Sequence, residues 1–143
     1  MKNFTDILQR LPYSSPYRFV DEITFLSDTR AEGNYRFKPD EFFYEGHFTG
    51  RPVTPGLILV ECMGQIGLVA MALYLFPGND FVPLLSTVEA EFLVPVLPGE
   101  KVFIESDKVF YRNGILKCNI RMFNESRTEV ARTLAILKMQ QND

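Results

Sequence analysis

Two titratable side chains, His47 and Glu61, stand where folding alone gives little reason for them. His47 is the only histidine of the 143-residue chain and lies in a loop rich in glycine and proline. Glu61 follows fourteen residues later, inside an apolar run that predicts a helix. Histidine exchanges protons near neutral pH, and a carboxyl group can act as its acid partner. The pair therefore predicts one site for general acid–base chemistry.

Two further residues complete the predicted site. Gln65 follows Glu61 at the i+4 position, so it shares a helix face with the carboxylate and can donate a hydrogen bond to it. Gly56 stands at the start of the predicted helix, where backbone N–H groups lack intrahelical partners and carry the positive end of the dipole. Without a side chain to obstruct an incoming oxygen, an N–H there could polarise a carbonyl and stabilise an enolate. This set suits proton abstraction next to a carbonyl with loss of a β-hydroxyl, but it does not choose the substrate.

Each residue also has an ordinary structural interpretation. Glu61 could pair with an arginine or point into solvent, although the helix shows no polar stripe that would place it at a wet surface. A lone histidine in a polar loop is more often ordinary than catalytic. Three features of the loop favour the catalytic interpretation. Gly46 and Gly50 permit tight backbone geometry, and Phe48 is apolar. The loop also leads directly into the helix that carries Glu61.

Hydrophobic periodicity predicts two strands, one long helix and four more strands. Residues 17–27 and 31–38 are predicted strands, the second because apolar and polar residues alternate along it. The helix is predicted from Pro55, with Thr54 as its N-cap, to a stop at Pro77–Gly78. The later elements are predicted at 82–94, 101–111, 116–122 and 130–137, with a hairpin turn at Asn113-Gly114. This order is typical of an α+β fold in which an antiparallel sheet curls around one central helix.

Composition favours a single globular domain over residues 1–143, because 46% of the residues are hydrophobic and no linker-like tract is present. The net charge of −3 and the scattered lysines and arginines argue against a nucleic-acid partner. Cys62 and Cys118 lie in apolar segments, which favours buried free thiols in a reducing compartment. One histidine and two apolar cysteines supply no metal site, and no Gly-rich nucleotide loop is present, so no cofactor is expected. Without a visible signal peptide, a cytoplasmic location follows by default.

The helix invites a second interpretation, as a membrane span. About 20 residues cover roughly 30 Å, which matches a bilayer core. However, Glu61 and Gln65 lie in the middle of the segment, and a carboxylate at a bilayer centre costs at least about 2.5 kcal/mol. We therefore expect no membrane span, and a helix that is apolar all round because a sheet and a partner subunit cover it.

Residues 46–65 resemble the signature of the β-hydroxyacyl-acyl-carrier-protein dehydratases of type II fatty-acid synthesis, the FabZ/FabA hot-dog class. The family pattern is roughly G-H-F-P-x-x-P-V-x-P-G-x-x-x-x-E-x-x-x-Q, and it stands here as GHFTGRPVTPG followed by Glu61 and Gln65. Residues 11–21 and 89–99 resemble two other parts of the family, so the resemblance covers nearly the whole chain.

The resemblance implies a role for each residue of the predicted site. His47 would abstract the C2 proton of a 3-hydroxyacyl thioester, and Glu61 would protonate the departing hydroxyl, with Gln65 orienting it. The Gly56 N–H would hold the thioester carbonyl. The implied fold is a hot dog, and the implied unit is a homodimer in which His47 of one chain and Glu61 of the other form each site. Such dimers can assemble further into hexamers.

The implied partner is an acyl carrier protein, an acidic protein that should meet basic residues such as Arg51, Lys108 and Arg112. The sequence departs from the family pattern at Thr49, where proline is usual, and at Tyr13, where the family's L-P-H opening has histidine. These departures leave open the substrate chain length, a specialised polyene or secondary-lipid pathway, and a double-bond isomerisation step.

Two alternatives remain open on the same scaffold. A hot-dog acyl thioesterase carries a carboxylate on this helix but does not need the histidine loop, so His47 favours dehydration. A non-catalytic protein that binds acyl chains or acyl carriers would have little reason to retain both His47 and Glu61.

Overall fold

The computed structural model describes residues 4–77 and 81–141. It has a short helix, a long helix, a one-turn 3₁₀ segment at Phe42–Glu45 and six strands. The elements are α1 (Thr5–Arg10), β1 (Glu22–Leu26), β2 (Arg30–Arg36), α2 (Gly56–Leu75), β3 (Phe81–Phe92), β4 (Lys101–Arg112), β5 (Ile115–Phe123) and β6 (Glu129–Gln141). The strands form one antiparallel sheet in the order β1-β2-β4-β5-β6-β3.

The sheet wraps around α2, which is the hot-dog arrangement that the sequence predicts. Met63, Ile66 and Met71 of the helix are completely buried, and they form one core with the inner faces of the strands. Burial alternates along β5, where every second residue from Leu116 to Met122 points inward. The predicted α+β fold is therefore confirmed.

The apolar character of α2 is explained by this packing. The helix is 20 residues long with a mean hydropathy of 1.9, so its length and composition would suit a membrane span. In the fold, however, 78% of its most apolar stretch is buried against the rest of the chain. A helix that is apolar on all faces is typical of a core element enclosed by a sheet.

The middle of α2 is wound more widely than an α-helix, which the sequence pattern does not predict. Residues Gln65–Val69 form a π turn. There the Ser106 hydroxyl of β4 donates a hydrogen bond of 2.9 Å to the Gly67 carbonyl. A Cβ at Gly67 would lie 3.0 Å from the Ser106 Cβ, so helix and sheet approach closely at this point. Single π turns in α-helices occur frequently at functional sites, and this one begins at a predicted site residue.

The predicted strand at residues 17–27 is too long, because β1 begins only at Glu22. The Gln65 amide bonds the Tyr17 carbonyl and the Phe19 N–H, so these groups are not available to a sheet. The prediction of Thr54 as the N-cap of α2 is also wrong. Pro55 takes the N-cap position, and the Thr54 hydroxyl is hydrogen-bonded to the Tyr44 hydroxyl at 2.6 Å.

Other boundaries differ from the predictions by a few residues. The long helix ends at Leu75, and the Gly78 of the predicted stop lies outside the described residues. The last strand continues to Gln141, beyond its predicted end at residue 137. The predicted hairpin turn is confirmed, since Asn113 and Gly114 have φ values of 52° and 74° and connect paired ends of β4 and β5.

Candidate active site

The loop before α2 holds His47 in one tautomer. The half-buried His47 ring has its Nδ1 atom 3.0 Å from the Val53 carbonyl oxygen, and the Val53 N–H donates to the His47 carbonyl at 2.9 Å. A carbonyl oxygen can only accept, so Nδ1 carries the hydrogen. In the neutral form of this tautomer the lone pair lies on Nε2, the ring atom that could accept a proton.

The remainder of the loop fixes the direction of the imidazole. The Phe48 ring stacks on it with a centroid distance of 4.0 Å and an interplanar angle of 27°. Phe48 and Arg51 exchange two backbone hydrogen bonds of 3.0 and 2.8 Å, across a turn in which Gly50 has a φ of 72°. A non-glycine residue rarely adopts this conformation, so the expected role of Gly50 in tight geometry is confirmed.

His47 shares a cavity of about 320 Å³ with the start of α2. The lining side chains are mostly apolar and come from the loop, the helix and the segment after β3: His47, Val53, Thr54, Gly56, Leu59, Phe92, Leu93, Val94, Pro95 and Val96. The first carbonyl to accept helical hydrogen bonds is that of Pro55, which receives the Ile58 and Leu59 N–H groups. The N–H of Gly56 precedes these donors, at the positive end of the helix dipole.

The backbone of Gly56 packs closely against β3, in addition to any contact of its N–H with a substrate oxygen. A Cβ at this position would lie 2.9 Å from Cζ of the Phe92 ring. The Phe92 ring therefore lies directly against the Cα of this glycine. Phe92 itself is 49% exposed, so its ring forms a wall of the His47 cavity.

Gln65 joins Glu61 to the segment before β1. Its Nε2 donates hydrogen bonds of 3.0 Å to Glu61 Oε2 and of 3.0 Å to the Tyr17 carbonyl, while its Oε1 accepts the Phe19 N–H at 2.8 Å. A backbone N–H can only donate and a carbonyl can only accept, so these two partners fix the orientation of the fully buried amide. The predicted hydrogen bond between Gln65 and Glu61 is therefore present.

Glu61 faces a second cavity, of about 330 Å³. Its walls combine two tyrosines with aliphatic residues of α2, β3 and β6: Tyr13, Tyr17, Val60, Glu61, Gly64, Leu68, Val69, Pro83, Leu84, Leu85 and Leu137. Within the described ranges Glu61 takes part in no ion pair, so the ordinary interpretation as an arginine partner does not apply. The carboxyl group is thus half-buried and open to a cavity.

Tyr13 is a site residue whose position the sequence does not reveal. Burial raises the pKa of its phenol well above the ordinary value, and the negative charge of Glu61 raises this pKa further. The side chain is therefore a neutral O–H donor beside the carboxyl group. The only signal for it in the sequence is the departure from the family's L-P-H opening at this position.

The two proposed catalytic groups do not share a cavity within one chain. His47 and Gly56 line the first cavity, whereas Glu61 lines the second. The strand β3 borders both, with Leu84 at the Glu61 cavity and Phe92 at the His47 cavity. The roles predicted for these residues stay predictions, and a single chain presents the residues at two separate cavities.

The structure also gives the positions of the cysteines and basic residues that the sequence singles out. Cys62 and Cys118 are buried free thiols, as predicted, and burial raises the pKa of Cys118 to about 11. Over residues 4–77 and 81–141, no cluster of three or more His, Cys, Asp or Glu side chains could hold a metal ion. Arg51 is exposed on the His47 loop, while Lys108 and Arg112 lie on β4.

Comparisons with known proteins identify the family of this chain. The model of the FabA-like domain family matches residues 11–131. The 3-hydroxyacyl-[acyl-carrier-protein] dehydratase FabZ of Caldicellulosiruptor saccharolyticus is 33% identical over 128 residues, which cover 87% of this chain and 90% of that protein.

Two solved structures share the fold. The dehydratase heterocomplex ApeI:P from Xenorhabdus doucetiae matches with a TM-score of 0.78 and 12% identity, covering 96% of this chain and 91% of that chain. A thioesterase from Haemophilus influenzae matches with a TM-score of 0.71 and 20% identity, covering 99% of this chain and 92% of that chain. At these identities the likeness concerns the fold alone.

Proposed function

Because this chain belongs to the FabA-like family, we propose that it dehydrates a 3-hydroxyacyl thioester, carried by an acyl carrier protein, to the trans-2-enoyl thioester. The observation that carries this proposal is the tautomer of His47, whose Nδ1 hydrogen is engaged by the Val53 carbonyl. A neutral imidazole with a free Nε2 suits the removal of a proton next to a carbonyl.

Each proposed residue performs one part of the reaction. Nε2 of His47 takes the C2 proton, while the Gly56 N–H stabilises the charge that develops on the thioester oxygen. The C2–C3 double bond forms as the C3–O bond breaks, and the Glu61 carboxyl group gives its proton to the departing hydroxyl, which leaves as water. Gln65 holds the carboxyl group through the hydrogen bond to Oε2.

The exposed surface of β3 supports a homodimer. This strand forms one edge of the sheet and is 12 residues long. A long edge strand with apolar side chains is a template for pairing with another chain. Its large exposed side chains are Val82 (41%), Leu84 (43%), Leu85 (52%), Val88 (39%) and Phe92 (49%).

A two-fold axis near Val88 would bring the Glu61 cavity of one protomer next to the His47 cavity of its partner. In an antiparallel pairing of two β3 strands about this residue, Leu84 of one chain lies opposite Phe92 of the other. Leu84 borders the Glu61 cavity and Phe92 borders the His47 cavity. Each complete site would therefore combine Glu61 of one protomer with His47 of its partner, so dimerisation would be required for activity.

The proposal also covers the domain, the location, the pathway and the carrier-protein contacts of the enzyme. Residues 1–143 constitute one dehydratase domain that acts in the cytoplasm, in fatty-acid or related acyl-chain biosynthesis. Arg51 is the first basic side chain to test as a contact of the acidic carrier protein, because it is exposed on the His47 loop. Lys108 and Arg112 on β4 are the other candidates.

A direct assay tests the reaction. Purified protein is incubated with 3-hydroxyacyl-carrier-protein thioesters of different chain lengths, and the products are identified by mass spectrometry. We expect enoyl thioester from the wild type and a loss of roughly 10²–10⁴-fold in kcat for His47→Ala, the contribution typical of a general base. Unchanged turnover in His47→Ala would contradict the proposed mechanism. Release of free thiol without an enoyl product would instead identify a thioesterase.

A further inference from the structure

The Glu61 cavity contains a polar group that the proposed mechanism does not use. Among the described residues that line it, three have polar side chains, namely Tyr13, Tyr17 and Glu61. Tyr17 is 44% exposed, so its phenol is largely available to solvent, whereas Tyr13 is half-buried. Tyr13 is therefore a half-buried, hydroxyl-bearing residue in the wall of a cavity that is otherwise mainly aliphatic.

The backbone on both sides of Tyr13 is anchored. Leu11 is buried in the core, and the Tyr17 N–H donates to the Ser14 carbonyl at 2.8 Å. Just beyond, the Gln65 amide binds the Tyr17 carbonyl and the Phe19 N–H. The segment that carries Tyr13 is thus fixed relative to the same amide that holds Glu61.

The chemistry of the pair suits an oxygen-bearing ligand group. Oε2 of Glu61 already accepts a hydrogen bond from Gln65, and the Tyr13 phenol remains protonated because burial raises its pKa. A hydroxyl group that enters an apolar cavity needs hydrogen-bond partners there, since an unpaired buried polar group is costly. A phenol donor beside a carboxyl group supplies both kinds of partner.

We propose that the Tyr13 hydroxyl donates a hydrogen bond to the 3-hydroxyl oxygen of the substrate and holds it against Glu61. This inference rests on the proposed dehydration. Tyr13 forms no covalent bond and transfers no proton, because the proton that leaves with the hydroxyl comes from Glu61. The phenol donor stabilises the charge that builds up on the oxygen as the C3–O bond breaks.

Three variants test the role in turnover. Tyr13→Phe removes only the hydroxyl, and we expect kcat/KM to fall roughly 10-fold, as for the loss of one good hydrogen bond. Tyr13→His restores a ring N–H donor and should lie closer to the wild type than Tyr13→Phe does. Tyr111→Phe is the matched control, because Tyr111 is also partly buried but packs against Phe76, with ring centroids 5.8 Å apart and away from the cavity. It should keep wild-type turnover.

A binding measurement separates this role from a structural one. In the His47→Ala protein, whose turnover should be roughly 10²–10⁴-fold slower, we compare the Kd of a 3-hydroxyacyl thioester with that of the acyl thioester that lacks the hydroxyl. The hydroxyl form should bind about 10-fold more tightly, and adding Tyr13→Phe should abolish that preference. Thermal unfolding of each variant checks that it is folded.

The outcomes distinguish the two proposals. A His47→Ala protein without preference for the hydroxyl form overturns the Tyr13 inference, and it does so even if Tyr13→Phe fails to fold. Wild-type turnover by Tyr13→Phe, or a preference that survives in the double variant, overturns it as well. Absence of dehydration by the wild type on every substrate tested would instead overturn the proposed function.

Discussion

At the scale of single residues, the proposed catalytic groups are oriented by backbone atoms. The Val53 carbonyl fixes the tautomer of His47, and the Tyr17 carbonyl and the Phe19 N–H fix the amide of Gln65. A group that can only accept or only donate leaves its partner no choice of orientation. The residue types of the site are therefore readable in the sequence, whereas their protonation and direction depend on partners elsewhere in the chain.

Gln65→Leu should destabilise the fold as well as the site. The substitution leaves the Phe19 N–H and the Tyr17 carbonyl without the side-chain partner they have in this structure. Each polar group left unpaired costs about 1–3 kcal/mol, so for the two groups we expect a loss of about 2–6 kcal/mol in the free energy of unfolding, measured with urea. Gln140→Leu on the exposed side of β6 is the control and should change it by no more than about 0.5 kcal/mol. Equal losses in both variants would contradict the role of Gln65.

Gly56→Ala should reduce activity more than stability. The new Cβ would lie 2.9 Å from Phe92 Cζ and push the ring into the His47 cavity. Because the contact is with the far end of a side chain and not with backbone, the ring can shift, and the free energy of unfolding should change by less than about 1 kcal/mol. Turnover should fall roughly 10-fold, the effect of a small misplacement at the reacting centre.

Gly46→Ala is the matched control for that experiment. A Cβ at Gly46 would meet no heavy atom within 4 Å. Its turnover should stay within a factor of about two of the wild type. A similar loss in both variants would show that the contact with Phe92 is not responsible.

At the scale of elements, local patterns predict the strands and helices well, and long-range contacts decide the exceptions. The alternation along β5 and the Asn113-Gly114 turn are confirmed because they depend on neighbouring residues. The strand predicted at residue 17 is absent there because a side chain 48 residues away takes the backbone group. The π turn in α2 follows from the approach of β4, which no pattern within the helix reveals.

Ion pairs on the outer face of the sheet should make stability depend on pH. Burial alone would raise the pKa of Glu105, but contacts with Arg127 at 2.7 Å, Arg30 at 2.9 Å and Arg121 at 3.3 Å outweigh it and lower this pKa. A carboxyl group whose pKa is lower in the folded state stabilises the fold above its ordinary pKa of 4.5, and the stabilisation is lost as the pH falls.

Glu105→Gln tests this dependence. At pH 7 the variant should lose about 1 kcal/mol of unfolding free energy, because the carboxylate and its arginine contacts are partly exposed. Near pH 3 the difference from the wild type should shrink, since below pH 4.5 the unfolded chain binds a proton at this carboxyl group more readily than the folded chain does. Urea titrations at the two pH values measure it. A difference that is the same at both pH values would contradict an electrostatic origin.

At the scale of the whole molecule, the proposed catalytic residues of one chain lie at two separate cavities, both of which border the edge strand β3. Glu61, which accepts a hydrogen bond from Gln65, lines one cavity, and His47 lines the other. β3 connects them and presents apolar side chains outward. In a homodimer with a two-fold axis, a single interface between the protomers would complete two sites at once.

Mixing two inactive variants tests whether the sites are shared. His47→Ala and Glu61→Gln homodimers each lack one group in both sites. A mixed dimer would contain one site with both groups intact and one with neither. After the proteins are unfolded together and refolded, random assortment makes half of the dimers mixed, so about a quarter of the wild-type turnover should return.

The control for this experiment is the same mixture of the two variants refolded separately and combined just before the assay. It should stay inactive if subunits exchange slowly. If the co-refolded mixture also stays inactive while its subunits are shown to associate, His47 and Glu61 do not form a site across the two-fold axis.

The sequence by itself determines which residues can do chemistry and which segments become strands or helix. The spacing of His47, Gly56, Glu61 and Gln65, and the periodicity of the core residues, are local properties that need no knowledge of the fold. The tertiary structure decides what the spacing cannot express. Contacts across 46 and 48 residues fix Gln65, the sheet presses Ser106 against the helix, and the path of the chain separates His47 from Glu61. The physical reason is that hydrogen-bond partners and cavity walls come from distant segments, which only folding brings together.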